Sequence, residues 1–265
     1  MSKVNITIDG QQYRVPAGEK LLWAALDCGV YIPHLCSNKE KERPDASCRL
    51  CFVEIEGFDA PVTSCTQEVF EGMVVKTRTP QVDRLVQTAF ELLLSNHKLR
   101  CGKCPQNRQC ELQRIARERK LKLKLTRLRP LLTEEKPVDD STDVFIYDPN
   151  RCVLCGQCIW VDHKVVEIGA IGFVNRGFDR KMSTFCDVPL AESRCTQCGE
   201  CVKVCPEEHW YLKRKQDKSR GLIPGWVHLV LRAKLVTCLE TAFGSFNGES
   251  YQVTTVTGGD ASPTL

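Results

Sequence analysis

The chain has 265 residues, of which 42% are hydrophobic and 26% charged, with a formal net charge of +4. These values are ordinary for a protein with a packed core, and the unusual number is seventeen cysteines. The first residues alternate and carry charges where a signal peptide needs an apolar run, and no stretch approaches the ~18 apolar residues of a membrane span. We therefore expect a cytoplasmic chain without a transmembrane segment, whose thiols bind metal instead of forming disulfides. Because thiolate ligands add negative charge, the net charge does not indicate a nucleic-acid partner.

Residues 1–80 are predicted to form a mixed β domain with one helix. The turn signal Asp9-Gly10 joins two alternating segments, and Gly29 follows a helical pattern. The predicted elements are strands at residues 3–8, 12–15, 49–56 and 73–77 and a helix at 19–28. Two strands, a helix and further strands around a cysteine loop are typical of a β-grasp ferredoxin, so this region is predicted to be a β-grasp [2Fe–2S] domain.

The first candidate ligand set lies in this domain and consists of Cys36, Cys48, Cys51 and Cys65. Four thiolates that include a close C-x2-C pair suit a [2Fe–2S] cluster, because the pair can hold one iron while the outer cysteines complete the coordination. A tetrahedral zinc ion could use the same four residues. The β-grasp pattern favours the cluster.

Residues 81–132 contain a second candidate set between two predicted helices, at 81–95 and at 111 to about 120. The set is His97, Cys101, Cys104 and Cys110. One histidine and three cysteines can hold structural zinc or a [4Fe–4S] cluster. Because imidazole lacks the charge of a thiolate, a cluster here should be easier to reduce than one with four cysteines.

A basic stretch follows, in which eight of the sixteen residues from 114 to 129 are Lys or Arg. One interpretation is a solvated helix followed by a strand of alternating Lys and Leu. The other is an electropositive docking face for an acidic partner subunit or a cofactor phosphate.

After a polar linker at 133–144, residues 145–212 contain two cysteine runs. The run Cys195-x2-Cys198-x2-Cys201-x3-Cys205-Pro206 has the spacing of bacterial ferredoxins, in which the fourth cysteine of each run ligates the other cluster. The upstream run is Cys152-x2-Cys155-x2-Cys158. We therefore predict one [4Fe–4S] cluster held by Cys152, Cys155, Cys158 and Cys205, and a second held by Cys195, Cys198 and Cys201.

The fourth position of the upstream run is occupied by Asp162 instead of cysteine. A carboxylate is a harder ligand than a thiolate and should hold iron less tightly. Asp162 is thus a candidate ligand, and an open site, a three-iron cluster or ligation by Cys186 remain alternatives. Cys28 and Cys238 lie in apolar helical patterns and are interpreted as core residues. Residues 213–265 are predicted to form a docking helix and a loose tail.

The order of these motifs resembles one family of iron–sulfur proteins across residues 1–206. The segments that carry the resemblance are Ser47-Cys48-Arg49-Leu50-Cys51, Asn96-His97 through Gln113, Asn150-Arg151-Cys152-Val153-Leu154-Cys155 and Cys195-Thr196-Gln197-Cys198-Gly199. The family includes the N-terminal part of the large iron–sulfur subunit of NADH:quinone oxidoreductase and the diaphorase small subunit of NAD-linked [NiFe] hydrogenases. The accessory domains of [FeFe] hydrogenases and of NAD-linked formate dehydrogenases are similar too. The retention of Cys195, Cys198 and Cys201 looks more like the hydrogenase and formate dehydrogenase members than like typical quinone oxidoreductases.

The resemblance implies an α+β protein with a β-grasp domain, a short helical segment with one His and three Cys ligands, and a two-cluster ferredoxin-like domain. It also implies an electron-transfer subunit that works between a flavin- and NAD(P)-binding subunit and a catalytic redox subunit. About sixty residues follow Cys205, and we expect no catalytic site and no bound nucleotide among the 265 residues. A free-standing polyferredoxin and a zinc-binding regulatory module are the competing hypotheses.

Overall fold

Nine short strands and five helices among the residues that the structure describes position the cysteine loops. The computed structural model describes residues 2–104, 106–130, 134–207 and 210–213. The strands are β1 Lys3–Ile8, β2 Gln11–Pro16, β3 Phe52–Ile55, β4 Val62–Thr63, β5 Val74–Lys76, β6 Phe145–Tyr147, β7 Ile171–Val174, β8 Lys181–Thr184 and β9 Trp210–Leu212. The helices are α1 Leu21–Asp27, α2 Pro80–Ser95, α3 Glu111–Arg119, α4 Gln157–Lys164 and α5 Glu200–Val204, with short 3₁₀ turns between them.

The N-terminal domain is a five-stranded mixed sheet in the order β2-β1-β5-β3-β4. Strands β1 and β2 form the expected hairpin at Asp9 and Gly10, which both have positive φ, and β1 pairs with β5 in parallel. Helix α1 buries Leu21, Leu22, Ala24 and Ala25 against the inner face of this sheet. The alternating pattern therefore predicted four of the five strands, each of which has one buried face, but it did not predict the two-residue strand β4.

Helix α2 connects the sheet to the second cysteine segment. It begins where the Oγ of Thr79 accepts a hydrogen bond from the N–H of Val82 at 3.1 Å and where Pro80 occupies the first turn. Its apolar face packs with α3 and with residues that flank the first cysteine loop, in one buried cluster that contains Leu35, Leu50, Val86, Phe90, Leu94, Leu112 and Ile115. Helices α2 and α3 therefore pack directly against the loop that carries Cys36.

The third region, residues 145–212, begins and ends with strands that pair with each other. Strand β6 pairs with β9, and Trp210 on β9 is buried beside the rings of Phe145 and Tyr147. Between these strands lie α4, the β7–β8 hairpin and α5. This pairing places the strand that follows the second cysteine run beside the strand that precedes the first run. The sequence pattern did not predict the β7–β8 hairpin.

The predicted strand of alternating Lys and Leu is wrong, because residues 121–125 form an irregular segment. Leu121, Leu123 and Leu125 pack against the core that contains α2, while Lys122 and Lys124 are exposed. One-sided packing of an irregular segment produces the same alternation as a strand.

The segment after residue 133, expected as a linker, is held against the third region from residue 134 onward. The backbone of Asp139 pairs with that of Tyr147, and the N–H of Lys136 donates to Asn150. The docking helix and tail predicted for the C-terminus lie outside the described residues. No helix among the described residues is long and apolar enough to cross a membrane.

Candidate iron–sulfur centres

The first candidate centre consists of four buried thiols at the edge of the β-grasp sheet. Cys36 follows α1, Cys48 and Cys51 precede β3, and Cys65 follows β4. Each is at most 5% exposed. Their loop curls through Ala46 and Arg49, which both have positive φ, and so turns the cysteines inward.

The sulfur atoms of this centre form two pairs. The thiol of Cys48, together with its own backbone N–H and that of Ser47, lowers the pKa of Cys36, and the thiol of Cys51 lowers the pKa of Cys65. The N–H of Cys48 lies 3.5 Å from the sulfur of Cys36. N–H groups that point at a sulfur stabilise its thiolate form, which is the form that binds iron. These pairs, Cys36 with Cys48 and Cys51 with Cys65, differ from the pair of Cys48 and Cys51 that the C-x2-C spacing suggested.

The second candidate centre lies between α2 and α3. His97, Cys101, Cys104 and Cys110 line one recess together with Arg151. The Nδ1 of His97 lies 2.9 Å from the carbonyl oxygen of Arg151. A carbonyl can only accept, so Nδ1 carries the proton and the lone pair of Nε2 is left for a ligand. Burial lowers the pKa of His97, which keeps the ring neutral as a metal ligand requires.

Sequence reasoning missed Glu207 at this centre. Its carboxyl group is 1% exposed, accepts from the thiol of Cys110 at 2.9 Å and from the N–H of Leu112 at 3.0 Å, and lines the same recess. Burial raises the pKa of Glu207 to about 7. The only signal in the sequence was an acidic residue directly after Cys205-Pro206, in a position with no assigned role.

The third candidate centre joins the two cysteine runs of the third region. Cys152, Cys155 and Cys158 are 4–5% exposed. Burial is the main cause of their raised pKa values, and the charge of Cys205 contributes to all three. Cys205 therefore lies beside the upstream run and not only beside its own.

The two runs have the same local backbone. Leu154 and Gly156 have positive φ in the first run, as do Gln197 and Gly199 in the second. In each run the N–H two residues after the first cysteine points at that cysteine's sulfur, at 3.4 Å. This repeated turn directs consecutive thiols to one side, and a short helix then begins at the glycine.

The fourth candidate centre is a recess between the second run and α4. Cys195, Cys198, Cys201 and Asp162 line it, and its remaining walls are largely apolar. Asp162 is 6% exposed, and one of its oxygens accepts from the N–H of Ile171 at 3.1 Å. Burial raises the pKa of Cys201, and the charges of Cys158 and then Asp162 add to this effect. The structure thus brings Asp162 to the three thiols.

The other cysteines lie elsewhere. Cys186 is exposed in a turn after β8 and is not among the described residues that line the fourth recess. Cys28 is half-buried at the end of α1 and packs on the N-terminal core, as expected. Cys238 lies outside the described residues. All sixteen described cysteines are free thiols, and no three His, Cys, Asp or Glu side chains within this part of the chain form a site for a single metal ion.

The basic stretch is partly used within the chain. Arg119 is buried and donates to the carbonyl of Thr77, and Arg127 pairs with the buried Glu91. The guanidinium of Arg114 lies 4.7 Å from the ring centre of Tyr31. These contacts give three of its eight basic residues a structural role.

Three families match parts of this chain. Residues 1–80 match a 2Fe-2S iron–sulfur cluster binding domain, residues 87–122 match the NADH-ubiquinone oxidoreductase-G iron–sulfur binding region, and residues 191–210 match a 4Fe-4S binding domain. The chain is therefore an iron–sulfur protein with mixed α and β structure, which carries one [2Fe–2S] domain and [4Fe–4S] binding domains.

Similar individual proteins indicate the class of protein more specifically than the domain families do. The chain is 38% identical over 208 residues to the NADPH-Fe(3+) oxidoreductase subunit alpha of Geobacter sulfurreducens. This alignment covers 77% of this chain and 23% of the relative. It is 35% identical over 229 residues to the NADP-reducing hydrogenase subunit HndD of Solidesulfovibrio fructosivorans, in an alignment that covers 80% of this chain and 37% of the relative. The chain thus spans about a quarter of the length of the first relative and somewhat more than a third of the second.

A solved structure also matches. The crystal structure of an NAD⁺-reducing [NiFe]-hydrogenase in the H₂-reduced state superposes with a TM-score of 0.71 at 25% identity, covering 83% of this chain and 91% of that chain. The chain is homologous to subunits of NADH-quinone oxidoreductase, of an NADPH-linked Fe(3+) oxidoreductase and of an NADP-reducing hydrogenase.

Proposed function

We propose that this chain is an electron-transfer subunit, which relays electrons through four iron–sulfur clusters between a flavin- and NAD(P)-binding subunit and a catalytic redox subunit. The observation that carries this proposal is the central position of the third cysteine set. Cys155 shares a buried cluster with Cys36 and Cys48, the carbonyl of Arg151 next to Cys152 binds His97, and the thiol of Cys201 lies 3.9 Å from the carbonyl of Cys158. Each of the other three sets therefore touches the third.

We assign one [2Fe–2S] cluster to the first set, with Cys36 and Cys48 on one iron and Cys51 and Cys65 on the other. The sulfur pairing described above supports this division. We assign a [4Fe–4S] cluster to each of the other sets, with Nε2 of His97 and the free oxygen of Asp162 as the ligands that are not thiolates. We propose that residues 1–80, 81–132 and 145–212 are the three cluster-binding regions. Residues 133–144 connect the second region to the third, and residues 213–265 follow the third.

The donor sets fit these groups. Most of the thiols are buried or half-buried without disulfides, and backbone N–H groups point at several sulfurs. When bound, iron–sulfur clusters accept and release single electrons. The chain itself orients the ligands, excludes water from the buried thiols and keeps the centres at short separations.

Anaerobic purification of the full chain with its natural partners tests this function. We expect a brown protein with about 14 iron atoms per chain, and a stable complex with a flavoprotein. A colourless protein that contains only zinc would contradict the assignment of clusters. A fully loaded chain that never associates with a flavoprotein would instead support a free-standing polyferredoxin.

Replacement of Asp162 tests the fourth centre. We expect the Asp162→Cys variant to give a [4Fe–4S] centre with a more negative potential, because a thiolate donates more electron density to iron. We expect Asp162→Ala to give a three-iron EPR signal. Asp162→Asn keeps an oxygen that can accept from Ile171 and so controls for loss of that hydrogen bond. Identical EPR spectra in the wild type, Cys and Ala forms would remove Asp162 from the ligand set.

A further inference from the structure

The backbone around Cys36 is held by two buried side chains from different parts of the chain. The amide nitrogen of Gln157 donates to the carbonyls of Leu35 and Ser37 at 3.0 and 2.8 Å. The ammonium group of Lys41 lies 3.3 Å from the carbonyl of Cys36 itself. Three successive carbonyls of the loop that carries a ligand of the first centre are therefore bound by Gln157 and Lys41.

Gln157 lies between two ligands of the third centre, Cys155 and Cys158. Its side chain reaches across 120 or more positions of sequence to the Cys36 loop, and it is 8% exposed. A primary amide is the one uncharged side-chain group with two N–H donors on a single atom, and both carbonyls face that atom. Without this amide, two buried carbonyls would lose their donors, which is costly in a place without water.

Lys41 brings a positive charge into the same buried interface. Its side chain is 2% exposed, its ammonium pairs with Asp45 at 2.8 Å, and it lies 5.9 Å from the ring centre of Trp160 on α4. Asp45 is 53% exposed, so solvent screens its charge more than that of Lys41. A buried cation this close to Cys36 favours added negative charge on that centre.

We infer that Gln157 and Lys41 are positioning residues that lock the Cys36 loop onto the third centre, and that Lys41 also raises the reduction potential of the first centre. This inference rests on the ligand sets proposed above. Gln157 carries no charge, so its contribution is to hold the contact between the two centres. Lys41 contributes through both its hydrogen bond and its charge.

The test compares Gln157→Leu and Lys41→Met with two matched controls in the loaded full chain. Gln81→Leu and Lys76→Met make the same changes at exposed positions on α2 and β5. The readouts are iron content, redox-titrated EPR of each centre and amide hydrogen exchange in the Cys36 loop.

For Lys41→Met we expect the one-electron reduction equilibrium of the first centre to become about tenfold less favourable, a fall of about 59 mV in its potential. For Gln157→Leu we expect an unchanged potential, about tenfold faster exchange in the Cys36 loop, and a weaker magnetic interaction between the reduced first and third centres. If Gln157→Leu fails to load, Gln157→Asn retains the amide on a shorter side chain and should show the same loss of interaction.

Two results would overturn the inference. One is a first-centre potential in Lys41→Met equal to that in Lys76→Met. The other is exchange and magnetic interaction in the Gln157 variants equal to those in Gln81→Leu. A shortage of iron or a missing first-centre signal in the wild type and controls would instead contradict the proposed ligand sets.

Discussion

Replacement of Cys205 by alanine should abolish the third centre and leave the fourth centre intact. Cys205 belongs by sequence to the run of Cys195, Cys198 and Cys201, but its charge acts on Cys152, Cys155 and Cys158. We expect the variant to lose one [4Fe–4S] EPR signal and up to about four iron atoms per chain. Iron analysis and EPR of the dithionite-reduced protein measure both effects.

The effect on electron transfer should be larger than the loss of one cluster suggests. Because each of the other three sets contacts the third in the arrangement proposed here, we expect its loss to interrupt transfer between the first centre and the second. Rapid-mixing measurements should then show that reduction of the first centre is no longer followed by reduction of the second.

Two further variants make this prediction specific. Cys201→Ala should remove the fourth centre and preserve transfer between the first and second. Cys186→Ala changes an exposed cysteine outside the four sets and should alter neither. Loss of the fourth signal and survival of the third in Cys205→Ala would show that the runs do not exchange their last ligands.

Replacement of His97 by cysteine should make the second centre much harder to reduce. A neutral imidazole is exchanged for a thiolate, so the cluster gains one negative charge in both redox states. Two such exchanges separate histidine-ligated from all-cysteine [2Fe–2S] centres by roughly 250 mV or more, so we expect a fall on the order of 100 mV for one. Redox-titrated EPR measures the shift, and the first centre in the same sample is the internal control.

The orientation of the ring sharpens this prediction. The carbonyl of Arg151 requires the proton on Nδ1, and Arg151 precedes a ligand of the third centre. His97→Ala should therefore lose the cluster or leave it with an open iron. A second centre whose potential and spectrum are the same in the wild type, Cys and Ala forms would show that His97 is not a ligand.

Much of the N-terminal domain could be predicted from the sequence. Strand alternation placed β1 and β2, and the periodic stripe of residues 81–95 placed α2 within one residue of its observed start. These patterns are reliable because each element buries one face. Alternation failed at residues 121–125, where the same one-sided burial occurs without a partner strand.

The candidate ligands were predictable for a different reason. C-x2-C spacing and the fourth position of each ferredoxin run are local rules, so Cys36, His97, Cys152 and even Asp162 could be assigned to sets without a structure. The residues that surround the ligands follow no local rule. Glu207 contacts Cys110 across 97 positions, and its place directly after Cys205-Pro206 does not by itself indicate that contact.

The sequence by itself determined the kind of protein, since fourteen of the seventeen cysteines fall into four sets whose spacing is typical of iron–sulfur ligands. Only the tertiary structure decided how the sets meet. It placed Gln157 on the carbonyls of Leu35 and Ser37, Lys41 over Trp160, and the carbonyl of Arg151 on His97. The physical reason is that cluster binding is encoded by short-range spacing, whereas contact between centres depends on buried polar groups that find their partners only when distant segments pack together.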